Sequence, residues 1–270
     1  MQVTKHISST QNPLIKKVLL LKEKSRERKK TGLFVLEGLR ELQIAFNSLY
    51  EIETVFYCDD IIENSESNTI LKSFNKDKLI SVSLDVYKKI AYRDTTEGVI
   101  AIVKGKDHQL ASLSFDTKNP LILIAEAPEK PGNIGALLRT ADAANLDAVF
   151  IANPKTDLYN PNIIRSSVGC IFSRTIKMGN TTEIISYLKK ERFNIFCAAL
   201  SASKDYTTVD FKEPTAIVVG TEHSGLSDEW LQNATQNIII PMEGEIDSMN
   251  VSVSAAILIF EAKRQRKLNN

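Results

Sequence analysis

Five short runs in the second half of the chain are apolar at nearly every position, and helical patterns separate them. A strand buried on one face alternates apolar and polar residues, whereas a strand covered on both faces is apolar throughout. The pattern therefore predicts an α/β domain over residues 120–270, with a mostly parallel sheet between layers of helices. The runs are LILIAEA from Leu121, DAVFIA from Asp147, FNIFCAA from Phe193, TAIVVG from Thr215 and NIIIP from Asn237.

The first 105 residues carry strand and helix patterns on a smaller scale, which predicts a second and smaller α/β domain. Strands are expected at 32–38, 52–58 and 98–104, with helices at 39–49, 69–74 and 84–91 between them. Residues 106–119, KDHQLASLSFDTKN, are polar and rich in turn formers, so we interpret them as a linker.

The basic residues are unevenly distributed, although the net charge of the chain is only +1. Eight lysines and arginines stand against two glutamates in residues 16–30, a local charge of +6. Apolar residues at near-helical spacing accompany them and predict an amphipathic helix with a basic face. Such a face is ordinarily just solvated, but it is also able to contact RNA phosphates.

Several classes of protein are disfavoured by the composition. No apolar run approaches the roughly 20 residues that span a bilayer, and the first residues lack a signal-peptide pattern, so we expect a cytoplasmic protein without membrane contact. The three cysteines are widely separated, which favours buried, reduced thiols. The three histidines have no metal-ligand spacing, so no metal is expected. These residues are Cys58, Cys170, Cys197, His6, His108 and His223.

Ligands of open parallel sheets bind beyond the carboxyl ends of the strands, so the loops that follow the strands are the candidate binding sites. Three loops carry polar residues and glycines, but each has a structural explanation when taken singly. The glycines suit turns, an arginine suits a helix surface, and Asn250 suits a helix cap. No phosphate-binding glycine loop and no Ser-His-Asp arrangement is present. The stretches are PEKPGNIGALLRTADAANL after Leu121–Ala127, TEHSGLSDEW after Thr215–Gly220, and MEGEIDSMN after Asn237–Pro241.

Taken together and in this order, the three stretches resemble the motifs of a known family. NIGALLRTADA, IVVGTEHSGLS and IPMEGEIDSMNVSVSAAILIFE are similar to the three motifs of the SpoU/TrmH branch of the SPOUT methyltransferases, which methylate ribose 2′-oxygens in RNA. The resemblance runs from Pro120 onward. FVLEG, VFYC and TTEGVIAIV resemble, more weakly, the small ribosomal-protein-like substrate-binding domain of such enzymes.

The resemblance implies a fold, a cofactor and a set of site residues. The C-terminal domain would be an α/β knot, with a deep trefoil, holding S-adenosylmethionine largely through backbone groups. The enzyme would be a homodimer in which Arg139 reaches the site of the other subunit. The cofactor positions carried over are Gly220, Ile240 and Met249, and the positions around the reacting ribose are Asn133, Arg139, Glu222, Ser248 and Asn250.

The chain departs from the family pattern at a few positions. At one of them, Met249 replaces the more usual leucine, and the side-chain volume stays about the same. Lys130 replaces a small acid or amide, and Asn145 replaces a glycine. Because a guanidinium is practically never deprotonated, we assign Arg139 to a phosphate and the developing alkoxide, rather than to a general base.

We therefore expect an S-adenosylmethionine-dependent RNA 2′-O-ribose methyltransferase, with rRNA favoured over tRNA because of the additional N-terminal domain. The alternatives are a tRNA enzyme and a catalytically silent RNA-binding assembly factor. Retention of Arg139, Glu222 and Asn250 argues against the silent factor. A flavodoxin-like nucleotide binder would need a phosphate loop that the sequence lacks.

Overall fold

The protein is described from a computed structural model that covers residues 5–62, 65–92, 97–110, 113–200, 203–221 and 224–267, without the side chains of 65–68. The chain forms two compact units. The first contains residues 1–106 and 157–173, and the second contains residues 107–156 and 174–270.

The elements of the first 106 residues alternate between strands and helices. In chain order they are β1 (His6–Ile7), α1 (Pro13–Glu23), α2 (Ser25–Thr31), β2 (Leu33–Glu37), α3 (Leu39–Asn47), β3 (Ile52–Tyr57), α4 (Ser65–Lys72), β4 (Leu79–Val82), α5 (Leu84–Ile90) and β5 (Val99–Lys104).

The remaining elements also include both strands and helices, with two helices and, later, three strands following one another directly. They are β6 (Leu121–Glu126), α6 (Pro131–Ala143), β7 (Ala148–Ala152), α7 (Pro161–Ser166), α8 (Cys170–Ser173), β8 (Ile176–Gly179), α9 (Thr181–Lys190), β9 (Asn194–Ala198), β10 (Lys204–Asp205), β11 (Thr215–Val219), α10 (Asp228–Asn233), β12 (Gln236–Ile239) and α11 (Val251–Lys267).

The sheet of the first unit is mixed, with the order β1-β4-β3-β5-β2 among the described strands. Strand β4 runs parallel to β1 and β3, whereas β5 runs antiparallel to β3 and β2. One face packs on α1 and α5 through buried side chains such as Ile15, Val18 and Tyr87. The smaller α/β domain expected from the sequence is therefore present.

The basic stretch at residues 16–30 forms two helices, so the prediction of one amphipathic helix is wrong. The chain is extended at Lys24, between α1 and α2. Arg28 points inward and is only 5% exposed, because its guanidinium pairs with Asp157 and donates to the carbonyls of Leu21 and Lys22. The basic residues that remain exposed are Lys16, Lys24, Arg26, Lys29 and Lys30.

Residues 157–173 belong to the first unit although they come late in the sequence. The ring of Tyr159 stacks on the ring of Phe34 of β2, with centroids 4.2 Å apart. The ring centroid of Phe172 lies 5.8 Å from that of Phe34. The hydroxyl of Tyr159 accepts the N–H of Lys106. An aromatic cluster thus holds this segment on the sheet of the first unit.

The sheet of the second unit has the order β10-β12-β9-β11-β6-β7-β8, and all of its described strand pairs are parallel. This confirms the parallel α/β domain that the apolar runs predict. Its core contains fully buried residues from both sheet and helices, including Phe150, Ile184, Val218 and Trp230. Because β6 and β11 are neighbours, the loops after them emerge side by side.

The cysteines Cys58, Cys170 and Cys197 are free and buried. Burial raises the pKa of the Cys197 thiol to about 12, with the nearby Glu126 carboxylate adding to the effect. Among the described helices, none is long and apolar enough to cross a membrane. The described part of the chain also brings together no group of three His, Cys, Asp or Glu side chains suited to a metal ion.

Candidate active site

A cavity of about 430 Å³ opens at the carboxyl ends of β9, β11 and β12. Its walls are largely apolar, and the chain between β12 and α11 closes one side. Four positions selected from the sequence meet here: Gly220, Ile240, Ser248 and Met249. Apolar walls are supplied by Val219, Leu226, Leu231, Ile238, Met242 and Leu258.

Gly220 is a glycine because the backbone packs against it. A Cβ at this position would lie 2.1 Å from the carbonyl oxygen of Gly225 and 2.7 Å from the nitrogen of Leu226. The loop folds back here because Thr221 and Gly225 exchange two backbone hydrogen bonds, of 3.2 and 3.0 Å. Gly225 has φ = +64°, which favours glycine. The fold therefore requires a glycine at position 220, beside the cavity.

A second cavity of about 140 Å³ adjoins the first. The two share lining residues from the loop after β11 and from the start of α11, namely Gly220, Thr221, Ser224 and Val251. Glu126, Lys130 and Asn133 contribute polar groups to the smaller cavity. A ligand in the larger cavity would therefore face these polar side chains across the Gly220 loop.

Asn250 joins the third motif to the first. Its side-chain N–H₂ donates to the Oδ1 of Asn133 at 3.2 Å, so the two amides lie together beside the smaller cavity. The Oδ1 of Asn250 accepts the backbone N–H of Ser252 at 3.0 Å, which caps α11. Asn250 therefore caps a helix and also contacts the other predicted ribose-binding amide.

Arg139 is exposed and lies on α6, away from both cavities. It follows Asn133 by six residues, which corresponds to about 240° around a helix and about 9 Å along it. Asn133 and Leu137 therefore face the smaller cavity, whereas Arg139 points elsewhere. Arg139 forms no hydrogen bond or ion pair with the described residues.

Two residues of the loop after β11, Glu222 and His223, lie outside the described residues. The flanking residues are described, and Thr221 Oγ1 lies 2.8 Å from Ser224 Oγ. Ser248 is exposed at the rim of the larger cavity, where its hydroxyl donates to Asp247 at 3.1 Å. The roles assigned to Glu222 and Ser248 stay predictions.

Glu126, the last residue of β6, is not among the site residues predicted from the sequence. The residue is 6% exposed and lines the smaller cavity. The available signal was a single acid that ends an otherwise apolar strand at the binding edge of the sheet. A buried carboxylate at such a position is unusual without hydrogen-bond partners.

Comparison with known proteins agrees with this geometry. A model of the SpoU rRNA Methylase family matches residues 120–260, and a model of the MRM3-like substrate binding domain matches residues 12–101. The 23S rRNA (guanosine(2553)-2′-O)-methyltransferase of Bacillus subtilis is 28% identical over 259 residues, covering 96% of this chain and 99% of that protein.

Solved structures match along almost the whole chain. A crystal structure of an RNA 2′-O ribose methyltransferase has a TM-score of 0.84 and 37% identity, and the match covers 97% of this chain and 99% of that one. The AdoMet-bound rRNA methyltransferase from Sinorhizobium meliloti has a TM-score of 0.85 and 27% identity, with coverage of 96% and 97%.

The match to the family model spans more than half of the 270 residues and contains the three motif stretches around the two cavities, apart from Glu261 at the end of the third. The fold of the second unit, with its parallel sheet, is the fold of these relatives. This chain belongs to the SpoU rRNA methylase family.

Proposed function

We propose that this protein transfers a methyl group from S-adenosylmethionine to a ribose 2′-hydroxyl of ribosomal RNA. The contact between Asn133 and Asn250 carries the proposal, because it places two amides beside a cavity that adjoins the larger one. Relatives of similar length carry this activity in their names.

The larger cavity suits the cofactor in size and chemistry. An adenosine needs apolar walls and backbone hydrogen-bonding groups, and both are present at the strand ends around Gly220 and Ile240. Met249 is half-buried and adds a polarizable wall. The cofactor supplies an electrophilic methyl group when bound.

The residues of the chain orient the RNA hydroxyl toward that methyl group. Asn133 and Asn250 offer amide donors and acceptors to the ribose, and Ser248 adds a hydroxyl at the rim. Much of the rate enhancement comes from this alignment, since the methyl donor is already reactive. Glu222 is assigned to the same ribose from the family resemblance.

Arg139 serves the active site of a second subunit in our proposal. It shares an exposed face of α6 with the small residues Ala136 and Ala143, and α6 packs against α11. On α11, Val253 and Phe260 are 47% and 51% exposed at a spacing of two helical turns. A homodimer that buries these faces would bring Arg139 to an RNA phosphate in the partner's site.

RNA capture belongs to the first unit. The match to a substrate-binding domain over residues 12–101 and the exposed cations of α1 and α2 support this role. Five of these cations, Lys16, Lys24, Arg26, Lys29 and Lys30, are available for phosphates. The three buried, free thiols support a reducing, cytoplasmic compartment.

Tritiated methyl transfer to purified rRNA and tRNA tests the function. Incorporation into rRNA is expected, and activity should persist in chelator, because the proposal assigns no step to a metal ion. Incorporation into tRNA alone would identify the tRNA enzyme. Tight RNA binding without any incorporation would identify a silent assembly factor.

A further inference from the structure

The carboxylate of Glu126 accepts three hydrogen bonds at the carboxyl end of β6. Its Oε2 accepts the backbone N–H of Ser227 at 2.8 Å. Its Oε1 accepts the hydroxyl of Ser227 at 2.7 Å and the hydroxyl of Thr181 at 3.2 Å. These bonds allow a carboxylate that is 6% exposed to remain inside the second unit.

Ser227 bonds to Glu126 instead of capping its own helix. Ser227 occupies the cap position of α10, where a serine ordinarily uses its hydroxyl to accept an N–H of its own helix. Here the side chain makes no capping bond, and its hydroxyl donates to Glu126, 101 residues away in sequence. The local interaction has been replaced by a long-range one.

Ser227 follows directly on the loop that lines both cavities. Gly220 begins this loop, and Thr221 and Gly225 close it with their paired backbone bonds. The far end of the loop is therefore held to the neighbouring strand β6 by two bonds to one carboxylate.

We propose that Glu126 is a positioning residue that, through Ser227, fixes the loop shared by the two cavities. The inference rests on the proposed function, since it concerns the placement of cofactor and ribose. Glu126 would act on cofactor affinity by holding Ser227, and with it the end of the loop, beside β6.

The other residue that bonds to the carboxylate, Thr181, supplies a control. Thr181 begins α9 and also bonds to the side chain of Asn153, so it lies outside the loop. Replacing Thr181 by valine removes the hydrogen bonds that its hydroxyl makes with Glu126 and with Asn153, and leaves both bonds from Ser227 to Glu126. A purely structural carboxylate would respond to the loss of either partner in the same way.

The test compares Ser227→Ala, Thr181→Val, Glu126→Gln and Glu126→Ala in the full chain. Dissociation constants for S-adenosylmethionine are measured by calorimetry, and KM values for cofactor and RNA by methyl transfer. We expect Ser227→Ala to weaken cofactor binding about tenfold, as for loss of one hydrogen bond to a charged group, while Thr181→Val stays within about twofold. The KM for RNA should rise in Ser227→Ala but not in Thr181→Val, because the same loop also borders the smaller cavity.

Glu126→Gln should keep most of the affinity, because an amide oxygen still accepts the Ser227 N–H and the hydroxyls are able to accept from the amide nitrogen. Glu126→Ala should lose at least as much as Ser227→Ala, and the double variant that combines Glu126→Ala with Ser227→Ala should be no worse than Glu126→Ala. Should Glu126→Ala fail to fold, the other three variants still decide.

Equal effects of Ser227→Ala and Thr181→Val, or wild-type affinity in Ser227→Ala, would overturn the inference. Equal losses in Glu126→Gln and Glu126→Ala would also overturn it, because the charge and not the bonding would then matter. Failure of the wild-type protein itself to bind the cofactor would instead overturn the proposed function.

Discussion

Single residues at the strand ends decide whether the cavities keep their shape, and Gly220 is the clearest of them. We expect Gly220→Ala to weaken cofactor binding by about a hundredfold or more, because the added carbon must displace the backbone of Gly225 and Leu226. Gly244→Ala is the control, since among the described residues, chain neighbours aside, no atom lies within 4 Å of a Cβ built there. Calorimetry with both variants checks this, and similar affinities would contradict the account.

The sequence predicted Gly220 and Asn250 as site residues, but it could not reveal the contacts that each of them makes. The glycine is demanded by a backbone contact five residues away, and the asparagine by an amide 117 residues away. Glu126 was missed for a related reason, since its partners Ser227 and Thr181 lie far along the chain. Local patterns do not contain such contacts.

At the scale of elements, the ion pair between α2 and the segment before α7 is buried on both sides. The side chains of Arg28 and Asp157 are 4% and 10% exposed. Asp157→Asn should lower the free energy of unfolding by about 3–5 kcal/mol, because it leaves a buried charge unpaired. Chemical denaturation followed by circular dichroism measures the change.

The exposed pair of Lys104 and Glu51 is the control for that measurement. Their side chains are 61% and 66% exposed, so Glu51→Gln should cost less than about 1 kcal/mol. Equal losses of unfolding free energy in Asp157→Asn and Glu51→Gln would mean that burial does not determine how much each ion pair stabilises the protein.

The exposed face of α2 should contribute to RNA binding through phosphates. Arg26→Gln, Lys29→Gln and Lys30→Gln together should weaken binding and reduce the slope of log affinity against log salt by about 2 to 3. Neutralising Lys189 and Lys190 of α9, which are also exposed, provides the control. A salt slope that falls only in the control would place RNA capture in the second unit.

Sequence patterns predicted the strongest elements and missed the shortest. The five apolar runs correspond to β6, β7, β9, β11 and β12, because continuous burial leaves a clear composition. Strands β1 and β10 have two residues each, so periodicity cannot identify them. The break between α1 and α2 depends on the inward turn of Arg28, which the charge pattern did not show.

At the scale of the whole molecule, the exposed position of Arg139 gives the proposed dimer a consequence. Arg139→Ala should lose about a hundredfold or more in activity, whereas Arg139→Lys should retain a measurable fraction through its charge. Mixing Arg139→Ala with Asn250→Ala protein should restore some activity, because a mixed dimer contains one site with both residues intact. Tritiated methyl transfer after confirmed subunit exchange measures this.

Activity in the mixture no higher than in either variant alone would exclude catalysis across an interface. Full activity of Arg139→Ala on its own would remove the residue from the mechanism. The trefoil knot expected from the family resemblance stays a prediction in the same sense as the dimer.

A map of 2′-O-methyl groups in ribosomal RNA shows whether this chain methylates ribose 2′-oxygens there. Ribosomal RNA from cells that lack the protein is compared, nucleotide by nucleotide, with RNA from cells that regain the wild type or Asn250→Ala. We expect a 2′-O-methyl group that disappears with the protein, returns with the wild type and stays absent with Asn250→Ala. An rRNA methylation map unchanged by loss of the protein would rule this activity out.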